Sequence, residues 1–366
     1  MMAPMTDSTL HPVPRLMRAA VLHGAEDVRL EDVPVPVPGP GEVLARVDVA
    51  SVDFTDYKVY RRGRHPMIRI PGLFGHEWAG TVAALGPGAE ARWRPGQRVV
   101  AANSVPCDAD AGPVCRQCRR GRQSLCETIQ YNNGAFAPFI LVPARLARGN
   151  LHAVPAGVPP ERVVFTEPYA CVLHAVRRIP VAPGDVVVVL GAGPMGLFMV
   201  SALRGHHGPG LGIVALDRLE QRLAVAQEMG ATHALNTADC PSAEALRRAI
   251  GRPTADVVIE VIGSVETHRE ALALVGPGGT LVSFGGVAPG QSLAVDLGHL
   301  HYEEIGILPI YHHTPRDIAE AVRRLVAGDV PVERLITARL PLDQLPTALA
   351  MIAEKTTLRT LLFPTA

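Results

Sequence analysis

The stretch Val186-Val187-Val188-Val189-Leu190-Gly191-Ala192-Gly193-Pro194-Met195-Gly196 decides the fold. Its first five residues form a continuous aliphatic run without polar alternation, the composition of a strand covered on both faces. The next six match G-x-G-x-x-G, and residues 197–203 suit a helix. A glycine turn between a buried strand and a helix is the setting in which that motif carries meaning. Gly191 permits the tight turn, Gly193 lets a pyrophosphate approach the backbone, and Gly196 lets helix and strand pack closely. The helix opening at Pro194 and Met195 then offers free N–H groups and a partial positive charge to a diphosphate. Twenty-one residues beyond Gly196, after the short run 213–216, stands Asp217. A carboxylate there accepts both ribose hydroxyls of an adenosine and repels a 2′-phosphate, which favours NAD over NADP. Arg218 and Arg222 follow it and are candidate contacts to the cofactor that leave some tolerance for phosphate.

Short buried strands at 213–216, 255–261 and 279–284 alternate with helical stretches at 220–229 and 265–274, which argues a parallel doubly wound sheet. Upstream, residues 17–165 are rich in Val, Gly and Pro, with short runs such as 43–47 and 97–101 between Pro-Gly turns at 38–39, 87–88 and 95–96. That punctuation suits a β-barrel-like lobe. Downstream, a helix at 317–327, a strand at 335–340, a helix at 345–353 and a closing strand at 360–363 complete the chain. Residues 1–15 carry three prolines and read as a flexible extension.

With 366 residues and 48% hydrophobic content the chain can bury two cores. A formal net charge of zero argues against nucleic acid or an anionic membrane surface as partner and for a small molecule. No apolar run is long enough for a signal peptide or a membrane span, so a soluble, cytoplasmic protein is expected. Six cysteines are present, and Cys107, Cys115, Cys118 and Cys126 crowd into one loop with C-x7-C-x2-C-x7-C spacing. Without an export signal such spacing favours metal ligation over disulfides, and four thiolates close a tetrahedral zinc shell. Cys171 and Cys240 are left as simple thiols.

Taken in order, Gly75-His76-Glu77-Trp78-Ala79-Gly80, the cysteine loop, Glu167-Pro168, the glycine turn and the closing strand resemble the zinc-dependent medium-chain alcohol and polyol dehydrogenases. The resemblance runs from about Met17 to the C-terminus. It implies an α/β architecture: a GroES-like β-barrel catalytic domain in residues 16–167 and 312–366, plus a Rossmann doubly wound parallel sheet across 168–311. It also implies two zinc ions per chain, one catalytic and one structural, and a homodimer or homotetramer paired through the far edge of the Rossmann sheet. The stretch Asp53-Phe54-Thr55-Asp56 matches the family's early ligand segment, with Asp53 where a cysteine is usual. An aspartate oxygen is a competent but harder zinc ligand. By the same resemblance His76 is the imidazole ligand, and Glu77 and Glu167 bind or flank the metal, with either able to be the ligand. Thr55 matches the hydroxyl that passes a proton toward the cofactor ribose, and Asp56 an acid in a supporting role. Lys58 stands where a relay histidine is common, and is either a relay or an exposed helix lysine.

In the cysteine loop the family usually has two residues, not seven, between the first pair of ligands. Either Cys107 reaches the others over a longer loop or Asp110 takes its place. Carboxylates at the catalytic metal resemble the polyol and sugar branch, so the implied reaction is hydride transfer between a secondary alcohol of polyol, sugar or aminocyclitol type and NAD. The alternatives are a zinc-free enone or quinone reductase of the same fold, and a non-catalytic NAD-binding scaffold or redox-sensing protein. Tyr57, Trp78 and Tyr131 are candidate pocket walls or core, and the basic run 61–65 is either a solvated loop or a phosphate contact.

Overall fold

The computed structural model describes residues 12–65, 68–108, 110 and 112–364. The chain divides into two compact units, one of Met1–Glu167, Thr314–Gly328 and Leu335–Ala366, the other of Pro168–His313 and Asp329–Arg334. The part of the expected N-terminal extension before residue 12 lies outside the described residues, while the Arg15 carbonyl accepts a hydrogen bond from Val35 N–H (3.0 Å).

Among its described residues the first unit carries a sheet whose strands run in the order Leu151–Ala153, Arg98–Ala101, Glu77–Leu85, Val43–Val52, Arg359–Phe363, Ile336–Pro341, with Phe139–Val142 also on Val43–Val52. A smaller sheet joins Asp27–Pro34, Leu16–Gly24 and Gly72–Leu73. Val43–Val52 is the hub: it pairs antiparallel with Glu77–Leu85, Phe139–Val142 and Arg359–Phe363. That accounts for its nearly continuous burial, since an edge strand would show one polar face. Val47, Phe74, Trp78, Val82, Val99 and Phe136 meet in the core beneath it. Trp78 therefore belongs to the core rather than to a pocket wall. Three strand ends converge where the register puts Ser51 opposite both Glu77 and Leu361. Asp53, His76 and Arg359 all stand within two residues of those positions.

Among its described residues the second unit is built on an all-parallel sheet in the order His233–Asn236, Gly212–Asp217, Val186–Leu190, Ala255–Glu260, Val275–Ser283, Gly306–Pro309. Numbered by their sequence within the unit these are strands 3-2-1-4-5-6, the doubly wound arrangement. Val187, Val188 and Val189 are fully buried, as helices on both faces require. The winding reverses between Val186–Leu190 and Ala255–Glu260, which opens a crevice at their carboxyl ends. Two short strands, His233–Asn236 and Gly306–Pro309, and the helix Ser242–Ile250 lie outside the sequence reading. Both strands sit at sheet edges and are half exposed, so neither needed an apolar run.

The second unit ends two residues beyond the expected 311, at His313, and takes back Asp329–Arg334 from the return segment. Buried Val330 and Val332, with an ion pair between Arg334 and Glu228 (2.8 Å), tie that short piece to the second unit. No helix among the described residues is long and apolar enough to cross a membrane.

Gly80 lies where two strands come closest. A Cβ there would stand 2.0 Å from the Arg46 carbonyl oxygen, whereas one at Gly24 would meet nothing within 4 Å. Gly80→Ala is expected to cost about 1–3 kcal/mol, and Gly24→Ala under about 0.5 kcal/mol. Urea unfolding followed by tryptophan fluorescence checks this, because Trp78 and Trp93 both report on this core.

Candidate metal and cofactor sites

The helix Phe54–Arg62 begins with a reciprocal capping box: Asp53 Oδ1 accepts from Asp56 N–H (2.8 Å) and Asp56 Oδ2 accepts from Asp53 N–H (3.0 Å). Each carboxylate keeps one oxygen for the imidazole of His76. Asp56 Oδ1 lies 3.1 Å from His76 Nδ1, and Asp53 Oδ2 lies 3.9 Å from His76 Nε2. The first is a hydrogen bond that places the proton on Nδ1, with Asp56 accepting, and leaves a lone pair on Nε2. The second is too long for a hydrogen bond. Two ligand atoms facing one another at this separation suit a cation between them, since tetrahedral zinc spaces a nitrogen and an oxygen ligand about 3.4 Å apart.

The electrostatics agree with that fit. Burial alone would push His76 down, but Asp56 and Asp53 raise it well above an ordinary histidine. Burial pushes Asp56 up to about 6, against the pull of His76. For Asp53 burial is outweighed by His76 and Arg359, which hold its carboxyl low. A pocket whose acids favour the charged form of a buried imidazole is a pocket that favours positive charge, and a divalent ion meets the same demand.

His76, Glu77 and Glu167 each bring a ligand atom within 4.8 Å of the others, and all three are buried. Glu77 is engaged by Arg359, whose Nη1 donates to Oε1 (3.0 Å) and Oε2 (3.1 Å). Burial pushes the Glu77 carboxyl up to about 8, with Arg359 opposing. Sequence reasoning missed Arg359, since it is 282 residues away from its partner and sits in a strand that reads as plain closure. A charged residue opening that otherwise apolar closing run was the available signal. Thr55 lies half-buried in the first turn of the capped helix. Lys58 holds its ammonium 4.8 Å from the ring centroid of exposed Phe54. In the basic run, Arg61 is exposed and ion-paired with Glu26.

The four cysteine sulfurs come together within 4.8 Å of one another, Cys107 included, so the seven-residue spacer loops out. Cys115 and Cys126 sulfurs are 3.9 Å apart, close to the roughly 3.8 Å that tetrahedral zinc at about 2.3 Å from each sulfur imposes. Backbone N–H groups point inward: Cys107 N donates to Cys126 Sγ (3.1 Å), Cys115 N to Cys107 Sγ (3.3 Å) and Cys118 N to Cys115 Sγ (3.5 Å). The Cys118 N–H leads in lowering Cys115 to about 6, while burial pushes Cys118 up. Asp110 is exposed with its N–H on Asp108 Oδ1 (2.9 Å), and Asp108 is paired with Arg148 (3.2 Å).

In the second unit Gly191 adopts φ 110°, and a Cβ on Gly196 would stand 1.8 Å from the Gly191 carbonyl oxygen. The helix Pro194–His207 starts with Gly193 as N-cap and no side-chain cap, leaving its first N–H groups for an anion. Asp217 closes its strand with Oδ2 accepting from Ala192 N–H (2.7 Å) and Oδ1 from Arg218 (2.8 Å) and Leu219 (3.0 Å) N–H. Arg222 Nη1 comes 3.8 Å from where a Gly193 Cβ would be, so it borders the turn, while Arg218 is exposed. Glu260, fully buried across the crevice, takes Ile262 N–H (2.9 Å), Gly263 N–H (2.7 Å) and the Thr267 hydroxyl (2.7 Å) on one oxygen.

Known proteins resemble the chain along nearly its whole length. Residues 39–155 match the alcohol dehydrogenase GroES-like domain, and residues 194–327 the zinc-binding dehydrogenase domain. The erythritol/L-threitol dehydrogenase of Mycolicibacterium smegmatis is 30% identical over 358 residues, 93% of this chain and 95% of that protein. The sorbitol dehydrogenase of Bacillus subtilis is 29% identical, covering 89% of this chain and 91% of that protein. Among solved structures, a protein of Sinorhizobium meliloti 1021 described as a zinc-binding dehydrogenase and bound to NADP superposes with a TM-score of 0.86 at 27% identity, over 95% of this chain and 99% of that one. The alcohol dehydrogenase of Thermus sp. ATN1 gives 0.82 at 28% identity, over 95% and 100%. With its paired domains, its parallel six-stranded sheet and these relatives, the chain is an oxidoreductase of the zinc-dependent medium-chain dehydrogenase/reductase family.

Proposed function

We propose that this chain is a zinc-dependent dehydrogenase that moves a hydride between a secondary alcohol of polyol type and NAD. The observation that carries this reading is the pair of atoms, His76 Nε2 and Asp53 Oδ2, that face one another at 3.9 Å with the other imidazole nitrogen already committed to Asp56. His76, Asp53 and one of Glu77 and Glu167 would hold the catalytic zinc. When bound, the ion supplies Lewis acidity that brings the pKa of a substrate hydroxyl toward neutrality. Asp56 fixes the imidazole tautomer and orientation, and raises its basicity toward the cation. Arg359 holds Glu77 through two hydrogen bonds to its carboxyl, and Glu167 is the second acid within reach of the same site. Thr55, in the first turn of the same helix, takes the substrate proton onward. Cys107, Cys115, Cys118 and Cys126 would hold the structural zinc. The Gly191–Gly196 turn would bind the diphosphate and Asp217 the adenosine ribose, with Arg222 beside it.

The edge strand Gly306–Pro309 suits pairing with a second copy. It ends the parallel sheet, and Leu297, Tyr302 and Ile307 around it are 75%, 84% and 44% exposed. An open strand with apolar flanks is a template for pairing, and a dimer or tetramer covers it.

Five experiments test the reading. Metal analysis is expected to find one zinc lost on His76→Ala and a different one lost on Cys115→Ser. Asp56→Asn keeps the ligands but is expected to weaken metal binding or turnover by about 10–100-fold. Because the metal competes with a proton on His76, zinc affinity should fall as pH drops. Zinc content unchanged in His76→Ala would favour a zinc-free reductase. Asp217→Ser is expected to raise KM for NAD and narrow the preference over NADP, read from initial rates with both cofactors. Ile307→Lys should shift the protein toward monomer in light scattering, and an unchanged mass would remove the edge from the interface.

A further inference from the structure

The chain contains five asparagines, and three of them, Asn103, Asn132 and Asn133, lie on two backbone segments that are hydrogen-bonded to each other and to Gly75, the residue before His76. Their placement follows from the backbone. Strands Glu77–Leu85 and Arg98–Ala101 pair antiparallel with Ala79 opposite Val100. Past the end of that ladder one strand runs on from Ala101 to Asn103, and the other is preceded by His76. The Asn103 carbonyl accepts from Asn132 N–H (2.7 Å), and the Gly75 carbonyl accepts from Gly134 (2.9 Å) and Ala135 (3.1 Å) N–H. Residues 75, 103 and 132–135 are thus tied together by backbone hydrogen bonds next to His76 in the chain. Gly75 has φ 92° and a Cβ on it would strike the Phe136 ring at 2.7 Å, so this position takes glycine. Asn103 and Asn132 are 4% and 8% exposed, and the Asn132 Nδ2 donor has no hydrogen-bond partner among the described residues. Asn133 is half buried.

We propose that Asn103, Asn132 and Asn133 are specificity-determining residues that read the non-reacting hydroxyls of a neutral vicinal polyol, a proposal that rests on the alcohol-oxidising reading of the His76 site. A carboxamide offers a donor and an acceptor together, which matches a hydroxyl that must do both. Three neutral amides also add no charge beside a cation site already lined by carboxylates, so they select hydroxyls without competing for the metal. A phosphorylated substrate would call for a fixed positive charge. The nearest basic run does not supply one, since Arg61 is exposed and engaged by Glu26, and Lys58 sits over Phe54.

The test compares erythritol with 2-butanol, the same four-carbon skeleton with and without its additional hydroxyls, using the zinc-loaded protein and NAD. The wild type is expected to prefer erythritol in kcat/KM. Asn133→Leu, at the half-buried position, and Asn103→Leu should each lower the erythritol to 2-butanol ratio by at least about tenfold, mainly through KM for erythritol. Asn133→Gln, which keeps the amide, should recover part of it. Thermal unfolding identifies a variant that fails to fold, and Asn133→Leu then decides. Equal losses on both alcohols would overturn the proposal, as would a wild type that prefers 2-butanol or a phosphorylated polyol. A wild type that oxidises no alcohol with zinc and NAD present would instead overturn the underlying reading, and this one with it.

Discussion

One capped helix turn sets the geometry of the His76 site. Asp53 and Asp56 each divide their two oxygens, one to the backbone of the helix start and one to the imidazole. The capping bonds would form in any helix with this N-terminal pattern, and are worth about 1 kcal/mol each in ordinary contexts. Here they also remove the rotational freedom of both carboxylates. The imidazole is then held between two acids whose positions are fixed by secondary structure rather than by flexible side chains, which is how a metal site gains precision from its scaffold. It also gives a physical reason for an aspartate at position 53 where a thiolate is usual. Asp is a strong N-cap residue, and its second oxygen stays turned toward His76.

The cost in desolvation is visible around it. Asp56, His76, Glu77, Glu167 and Arg359 are all buried in the first unit. Burying ionisable groups is costly unless each is paired, and well-packed apolar residues would often serve stability equally well. Such a concentration is what a site with electrostatic work to do looks like. Pairing Glu77 with Arg359 limits the penalty by placing opposite charges 3.0 Å apart.

Much of this was legible in the sequence, for local reasons. The glycine turn is a contiguous motif whose strand, bend and helix are set by neighbouring residues, so Gly191, Gly193 and Gly196 could be assigned from the string. The cysteine cluster was equally readable, because four thiols crowd into one short loop and their sulfurs come within 4.8 Å of one another. What escaped was non-local or weakly patterned. Arg359 acquires meaning only when Arg359–Phe363 pairs with Val43–Val52, and no periodicity announces that contact. The edge strands were missed because half-exposed strands need no hydrophobic run. The spacing around Cys107 left its partner open, since loop length constrains reach only weakly; the folded loop brings the sulfur in.

The return of the chain to the first unit can be understood on the same terms. Arg359–Phe363 inserts between Val43–Val52 and Ile336–Pro341, antiparallel to the first and parallel to the second. Pairing with the hub strand puts Leu361 opposite Ser51, and Ser51 is itself opposite Glu77, so the residue two before Leu361 is delivered to the Glu77 carboxylate. A one-residue slip would turn Arg359 to the other face of the sheet and leave Glu77 buried without its cation. Breaking a buried pair from one side costs about 3–5 kcal/mol, so the ion pair selects the register of the last strand as much as the register forms the ion pair. The C-terminal segment thereby does more than complete a sheet: it carries the positive charge that lets two glutamates share one dry corner with His76.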